Sequence, residues 1–336
     1  MINNKCLACY QPLDTGFIDF HTRCSKKLFG SAAAPLVPFS LDQMYKLANE
    51  VVRRSVAVTG VQAKLSLDIE TYKETKKETR FTIVGLWGSY VLKPPSDQYN
   101  QLPEIEDVTM HLAEITKIRT VAHSLIRLNS GELAYLTKRI DRVDGKKLAM
   151  EDMCQLTERL TEDKYKGSME QISKIIKKYS ANSGLDVLEL FERTLFCFLT
   201  GNADMHLKNF SLIRELDGSI VLAPAYDLVA TKLVIPQDNE ETALTINGKK
   251  QNLTLNDFKE YAISLSINEK TMRNSLDKIQ SSIPKLIDFI DKSFLIAQLK
   301  DSYKHLIEDR LKALELNINP FNHIAVGKTR LTREPH

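Results

Sequence analysis

No apolar run in the 336 residues approaches the roughly 18 that a helix needs to cross a bilayer. The N-terminus Met1-Ile2-Asn3-Asn4-Lys5-Cys6 also lacks the apolar core of a secretory signal. Both absences point to a cytoplasmic chain. An excess of one charge is missing as well. The 46 basic and 43 acidic residues leave only +3, so no global field draws the chain to nucleic acid or a membrane, and any phosphate site must be local. No internal repeat or low-complexity segment is visible. Glycine is scarce where phosphate loops need it: Ser55 to Lys64 holds Gly60 alone, which is neither G-x-G-x-x-G nor a Walker sequence. Apolar residues are not lacking. They make up 43% of the chain, enough for a two-lobed domain with a real core.

Of five cysteines, three fall in the first 24 residues, in Cys6-Leu7-Ala8-Cys9 and His21-Thr22-Arg23-Cys24. In a reducing compartment two short-spaced pairs suit a tetrahedral zinc ion better than disulfides. Four packing side chains fit the pattern too, with the cysteines as small buried hydrophobes. Small, proline-containing Ser31 to Pro38 reads as a connector, giving a Cys/His segment over 1–39. Ser40 and Gln43 then suit a capping box for a helix ending near Arg54. Short β-type runs follow at 56–58, 64–69, 81–84, 90–92 and 133–140, interrupted by one helix after Leu102-Pro103. The mixed-charge Thr71 to Arg80 reads as a hairpin tip. Beyond residue 148 the pattern is helical: 150–160, 170–179, 185–200, 255–265 and three more after Glu269. The expectation is an α+β chain with a sheet-rich lobe over 40–140 and a helical lobe over 141–336.

The residues with chemistry sit after the most apolar helix. Gly201-Asn202-Ala203-Asp204-Met205-His206-Leu207-Lys208-Asn209 leads into a hairpin turning at Asp217-Gly218, which returns the chain to Tyr226-Asp227. Asp204, Asn209 and Asp227 can therefore converge. An aspartate five residues before an asparagine, then a second aspartate after a hairpin, is the arrangement phosphoryl transfer uses. Asp204 would orient the attacking hydroxyl, Asn209 and Asp227 would hold magnesium, and His206 and Lys208 would contact phosphate oxygens. The same residue types also cap loops. A lysine ending a strand, Lys93, and Glu106 on the next helix supply the lysine–glutamate pair that such an enzyme needs. Thr59, Gly60, Val61, Gln62, Ala63 and Lys64 can cover phosphates with backbone amides and one ammonium. The hinge falls at Lys138, Arg139 and Ile140.

These stretches together resemble the HipA-like serine/threonine kinases, toxins of bacterial toxin–antitoxin systems. The matching residues are Thr59 to Lys64 with Leu65-Ser66-Leu67, Lys93, Leu102-Pro103-Glu104 with Glu106, Lys138 to Arg142, Gly201 to Asn209 and Pro224 to Leu228. The Cys/His segment ending in Lys27-Leu28-Phe29-Gly30 is similar to the start of short members. The resemblance implies a protein-kinase-like fold, ATP and magnesium, and Asp204 as proton acceptor. It implies nucleotide or metal contacts from Thr59 to Lys64, Lys93, Lys138 to Ile140, His206, Asn209 and Asp227. It further implies a translation component as protein substrate, such as an aminoacyl-tRNA synthetase. Expected partners are an antitoxin with a DNA-binding helix-turn-helix and a small protein supplying an N-terminal subdomain. The usual autophosphorylated serine falls at Ala57 here, which leaves Ser55. Asp204-x-His206-x-x-Asn209 is also similar to the catalytic loop of phosphatidylinositol-type kinases, and antibiotic kinases share its Asp-to-Asn spacing. A lipid or small-molecule kinase and a nucleotide-binding pseudokinase module are therefore the rival readings.

Overall fold

The structure, a computed structural model, describes residues 4–54, 64–71, 79–84, 88–143 and 145–316. Ser55, Ala57, Thr59 to Ala63 and most of the predicted hairpin tip lie outside the described residues. The fold is a two-lobed α+β one, with the sheet in the first half of the chain and most of the helices in the second. Helices α1 (Thr22–Phe29) and α2 (Leu41–Arg54) come first. They precede strands β1 (Leu65–Thr71), β2 (Thr79–Ile83) and β3 (Tyr90–Lys93), and helix α3 (Leu102–Ile115). Strands β4 (His123–Arg127) and β5 (Leu133–Lys138) complete an antiparallel sheet in the order β2-β1-β3-β5-β4. Leu65 and Leu67 alternate inward beside Phe81, Tyr90 and Leu92, as a half-buried sheet requires. Phe29 of α1 packs edge-on against Phe81 on that buried face. The Ser31–Pro38 connector is more than a spacer: Leu36 exchanges backbone hydrogen bonds of 3.0 and 2.8 Å with Thr79 and Phe81, covering the β2 edge.

A two-stranded ribbon, β6 (Arg142–Val143) and β7 (Lys146–Lys147), leads to strand β8 (Met150–Asp152) and the short helix α4 (Met153–Leu156). Helix α5 (Met169–Tyr179) and the central α6 (Ser183–Thr200) precede the hairpin β9 (Ser211–Arg214) and β10 (Ile220–Leu222). Helices α7 (Thr231–Val234), α8 (Leu255–Ser264), α9 (Glu269–Lys292) and α10 (Ala297–Ala313) finish the described chain. The helix expected over 150–160 starts late. Met150 to Asp152 pair with Ile213 to Ser211 as a third strand, and the Asp152 carboxylate then caps α4 by accepting from the Gln155 amide at 2.9 Å. After Glu269 two helices, not three, lie within the described residues. Strand β4 was not foreseen, because His123 and Ser124 disguise its apolar character. Among the described residues no helix is long and apolar enough to cross a membrane.

Helix α3 is buried along almost its whole length, between the sheet and the helical lobe. Thr109 Oγ1 meets Tyr303 Oη of α10 at 2.9 Å. Its polar core is Asp107, which accepts from Tyr10 Oη at 2.7 Å and pairs with His123 Nδ1 at 2.6 Å. His111 Nε2 stands 3.5 Å from the same carboxylate, and its Nδ1 is 3.1 Å from Glu114. Burial alone would depress the His111 pKa, but Asp107 more than reverses this and lifts it to about 9. A histidine raised in the folded state stabilises fully below its unfolded pKa of about 6.5, and that contribution is lost as pH rises through about 9. The full swing is on the order of 3 kcal/mol. Thermal unfolding from pH 7 to 9.5 should show a falling midpoint in the wild type and a flatter one in His111→Gln. Equal slopes would mean that His111 is neutral in the fold.

Candidate functional site

The site begins where α6 is forced to stop. Gly201 takes a left-handed φ of 65°, and a Cβ there would sit 2.7 Å from Leu306 Cδ2 and 2.9 Å from Lys232 Cβ. Only glycine meets both demands. The loop is then braced by neutral groups. Thr231 Oγ1 accepts from the Ala203 amide at 2.8 Å and donates to the Gly201 carbonyl at 3.2 Å. Asn202 Oδ1 accepts from the Asp204 amide at 3.2 Å, and Asn209 Nδ2 donates to the Asp204 carbonyl at 3.0 Å. Asn202, Asn209 and Thr231 therefore do the capping. The Asp204 carboxylate, half-buried, instead accepts from Tyr165 Oη at 2.8 Å.

His206 caps the short turn Leu207–Asn209 with its backbone and lies edge-on to the Tyr165 ring at 5.1 Å. Burial lowers its pKa, only partly opposed by Asp204 and Asp227, so the imidazole is neutral at pH 7. Its Nδ1 is buried without a hydrogen bond among the described residues. Lys208, expected to face phosphate, pairs with Asp152 at 2.7 Å at the end of β8.

Hairpin β9–β10 carries the chain back to Asp227. Buried Arg193 of α6 secures the return by donating to the Ala223 carbonyl at 2.9 Å, with its charge balanced by Glu189 at 2.7 Å. Tyr226 Oη donates to the Lys208 carbonyl at 3.0 Å, locking the end of the hairpin to the loop. Asp227 itself has a φ of 61°, a conformation aspartate tolerates better than most residues. Its carboxylate pairs with Lys64 at 3.2 Å and with Lys93. Lys93, only 3% exposed, also meets Glu106 of α3 at 2.5 Å and lies 5.4 Å from the centre of the Tyr135 ring. Against the cost of burial, the two lysines hold the Asp227 pKa far below the usual carboxylate range, and the two acids hold Lys93 above its usual value. Glu106, which shares Lys93, is pushed by burial up to about 7.

At the hinge the Lys138 amide donates to Ala122 at 2.8 Å and the Arg139 amide to Ser89 at 2.9 Å, so neither is open to a base. The Arg139 guanidinium forks onto Asp141 at 2.9 and 2.8 Å, and Ile140 packs into the core. The structure thus brings Lys64, Lys93, Glu106 and Asp227 into one ion network, with Asp204, His206 and Asn209 on the adjoining loop. It sets Lys208 and Arg139 into ion pairs of their own. Sequence reasoning missed Tyr165 and the pairing of Asp152 with Lys208; Asp141 lay within the Lys138 to Arg142 run, but its pairing with Arg139 was not foreseen.

Comparison with known proteins identifies the family. Residues 56–287 match the HipA-like C-terminal domain. A Haemophilus influenzae protein is 27% identical over 286 residues, covering 77% of this chain and 79% of its own length. Protein Y4dM of Sinorhizobium fredii is 31% identical over 247 residues, covering 67% of this chain and 58% of its own length. Both are named as kinases by inference. Among solved structures, the Shewanella oneidensis HipA toxin, determined with HipB and operator DNA, superposes with a TM-score of 0.65 at 20% identity. The superposition covers 84% of this chain and 73% of that one. The chain belongs to the HipA-like C-terminal domain family and is a kinase of that group.

Proposed function

We propose that the chain is an ATP- and magnesium-dependent serine/threonine protein kinase acting as the toxin of a toxin–antitoxin pair. The observation that carries this reading is Lys93, buried between Glu106 and Asp227 beside the Asp204 loop. A lysine so fixed can hold the non-transferred phosphates without searching for its rotamer. The metal fits the donor set. Asp227 offers a carboxylate already held ionised by cations, and Asn209, with Nδ2 committed to the loop, offers its Oδ1. Magnesium bound there would neutralise and align the phosphate oxygens.

Asp204 accepts the proton of the substrate hydroxyl as its oxygen bonds to the γ-phosphorus, and ADP leaves with the electron pair of the broken bond. Tyr165 holds one carboxylate oxygen, directing the other to the hydroxyl. Neutral His206 can donate a hydrogen bond but carries no charge to the phosphate. With two hinge amides already engaged, adenine would be read through other backbone groups there. Lys64 and the segment Thr59 to Ala63 would cover the phosphates. The substrate class is a protein of the translation apparatus, such as an aminoacyl-tRNA synthetase, and the partner a DNA-binding antitoxin, as HipB accompanies the Shewanella HipA.

The test is incubation with ATP and bacterial lysate, comparing wild type with Asp204→Ala. New phosphoserine or phosphothreonine in a translation protein supports the reading. Label entering lipid or small molecules alone overturns it. The intact mass of the same samples reads autophosphorylation: one added phosphate, absent from Ser55→Ala, is the expected result.

A further inference from the structure

The N-terminal Cys/His segment takes no part in the chemistry above, yet it is folded around a common point. Lys5 and Pro12 pair as a β-bridge, and the Tyr10 amide donates to the Cys6 carbonyl at 2.9 Å, so this tight knuckle presents Cys6 and Cys9 together. Backbone bonds from Leu7 to Asp19 and from Phe20 to Ile18 then bring the start of α1 alongside. There His21 is the N-cap residue and Cys24 lies in the first turn. The three sulfurs and the imidazole converge, with all four candidate ligand atoms within 4.8 Å of one another. Cys9 Sγ and Cys24 Sγ stand 3.4 and 3.9 Å from His21 Nδ1. Tetrahedral zinc, with Zn–S near 2.3 Å and Zn–N near 2.0 Å, sets adjacent S and N ligands about 3.6 Å apart.

The histidine settles which chemistry the cluster suits. His21 Nε2 is 2.9 Å from the Pro12 carbonyl, an acceptor only, so Nε2 carries the proton. Nδ1 is left with its lone pair facing the sulfurs. A backbone carbonyl fixing the distal nitrogen is how metal-bound histidines are oriented. All five cysteines of the chain are free, so no disulfide competes for these sulfurs.

We propose that Cys6, Cys9, His21 and Cys24 bind one zinc ion, and that this ion clamps the segment across both lobes. The clamp follows from what brackets the ligands. Lys5, just before Cys6, donates to the Lys292 carbonyl at the end of α9 at 2.6 Å. Tyr10, just after Cys9, stacks on Phe289 of α9 at 5.0 Å and sends its hydroxyl to Asp107 of α3 at 2.7 Å. On the sheet side, Asp19 pairs with Arg127 of β4 at 2.8 Å. A zinc ion that fixes the knuckle therefore fixes the contacts that seat α3, the helix that carries Glu106.

Metal analysis of the full-length protein is the test. About one zinc per chain is expected in wild type, falling below about a tenth in the Cys9→Ser/Cys24→Ser double variant. Exchange for cobalt should give the intense visible bands of a tetrahedral thiolate site, and chelation should lower the unfolding temperature. His21→Cys keeps four ligands and should retain zinc and cobalt colour, which guards against a serine variant that simply misfolds. Wild type purified without zinc and without a cobalt spectrum would overturn the proposal. Full zinc occupancy in the double-serine variant would overturn it equally.

Discussion

Asp204→Ala should lower phosphate transfer to protein by about 10²–10⁴-fold while leaving the unfolding temperature nearly unchanged. The two halves of that expectation come from one feature. In a loop of this kind an aspartate usually earns its place by capping, but here Asn202, Asn209 and Thr231 hold the backbone. The Asp204 carboxylate meets only the hydroxyl of half-exposed Tyr165 among the described residues. Removing it therefore deletes the proposed proton acceptor and little else. Tyr165→Phe should cost far less, because it loosens the carboxylate without removing it. Steady-state transfer rates and thermal unfolding of the three proteins decide the matter. A large loss of stability in Asp204→Ala would show that the carboxylate holds the loop. An unchanged transfer rate would remove it from the chemistry.

That division of labour also shows what the sequence could convey. Spacing identified Asp204, Asn209 and Asp227, because a loop, a two-stranded hairpin and a return are local events that turn chemistry dictates. Lys93 and Glu106 were legible for the same reason: a strand end and the next helix lie close along the chain. Tyr165 reaches Asp204 across 39 positions, and Asp152 reaches Lys208 across 56. Both are ordinary polar residues whose partners are chosen by tertiary packing, so no local pattern announces them. The helix expected over 150–160 misled in a different way. Its helix signal is real, but strand β9 captures the three residues before it, since pairing along a sheet edge satisfies their backbone groups. The Cys/His segment was legible as a cluster of metal-ligating residue types, with buried packing side chains as the other reading. Its seating against α3 and α9 was not, because Tyr10, buried and pointing inward, looks like any aromatic residue in the sequence.

The Lys93, Glu106 and Asp227 network makes the second large prediction, and it concerns pH as much as rate. Lys93→Met should abolish measurable transfer, a loss of at least about 10²-fold, since the cation proposed to hold the phosphates is gone. The stability cost follows from which acid is stranded. Asp227 keeps Lys64, but Glu106 is wholly buried, and its Oε2 has no hydrogen-bond partner among the described residues. Breaking a buried pair typically costs about 3–5 kcal/mol when the remaining charge persists. Glu106 can escape part of that cost, because burial already raises its pKa to about 7 with the lysine present. Without Lys93 it rises further and the carboxyl is neutral. A carboxyl raised in the folded state stabilises fully below its unfolded pKa of about 4.5, and that contribution is lost as pH rises through the folded value. Lys93→Met should therefore be tolerable near pH 5 and lose stability up to pH 8 more steeply than wild type. Lys93→Met/Glu106→Gln, with nothing to ionise, should recover a flatter profile while remaining inactive. Unfolding midpoints of the three proteins across that range provide the measurement. A Lys93→Met slope no steeper than wild type would mean that Glu106 finds water or another cation, and that the lysine alone does not keep it charged.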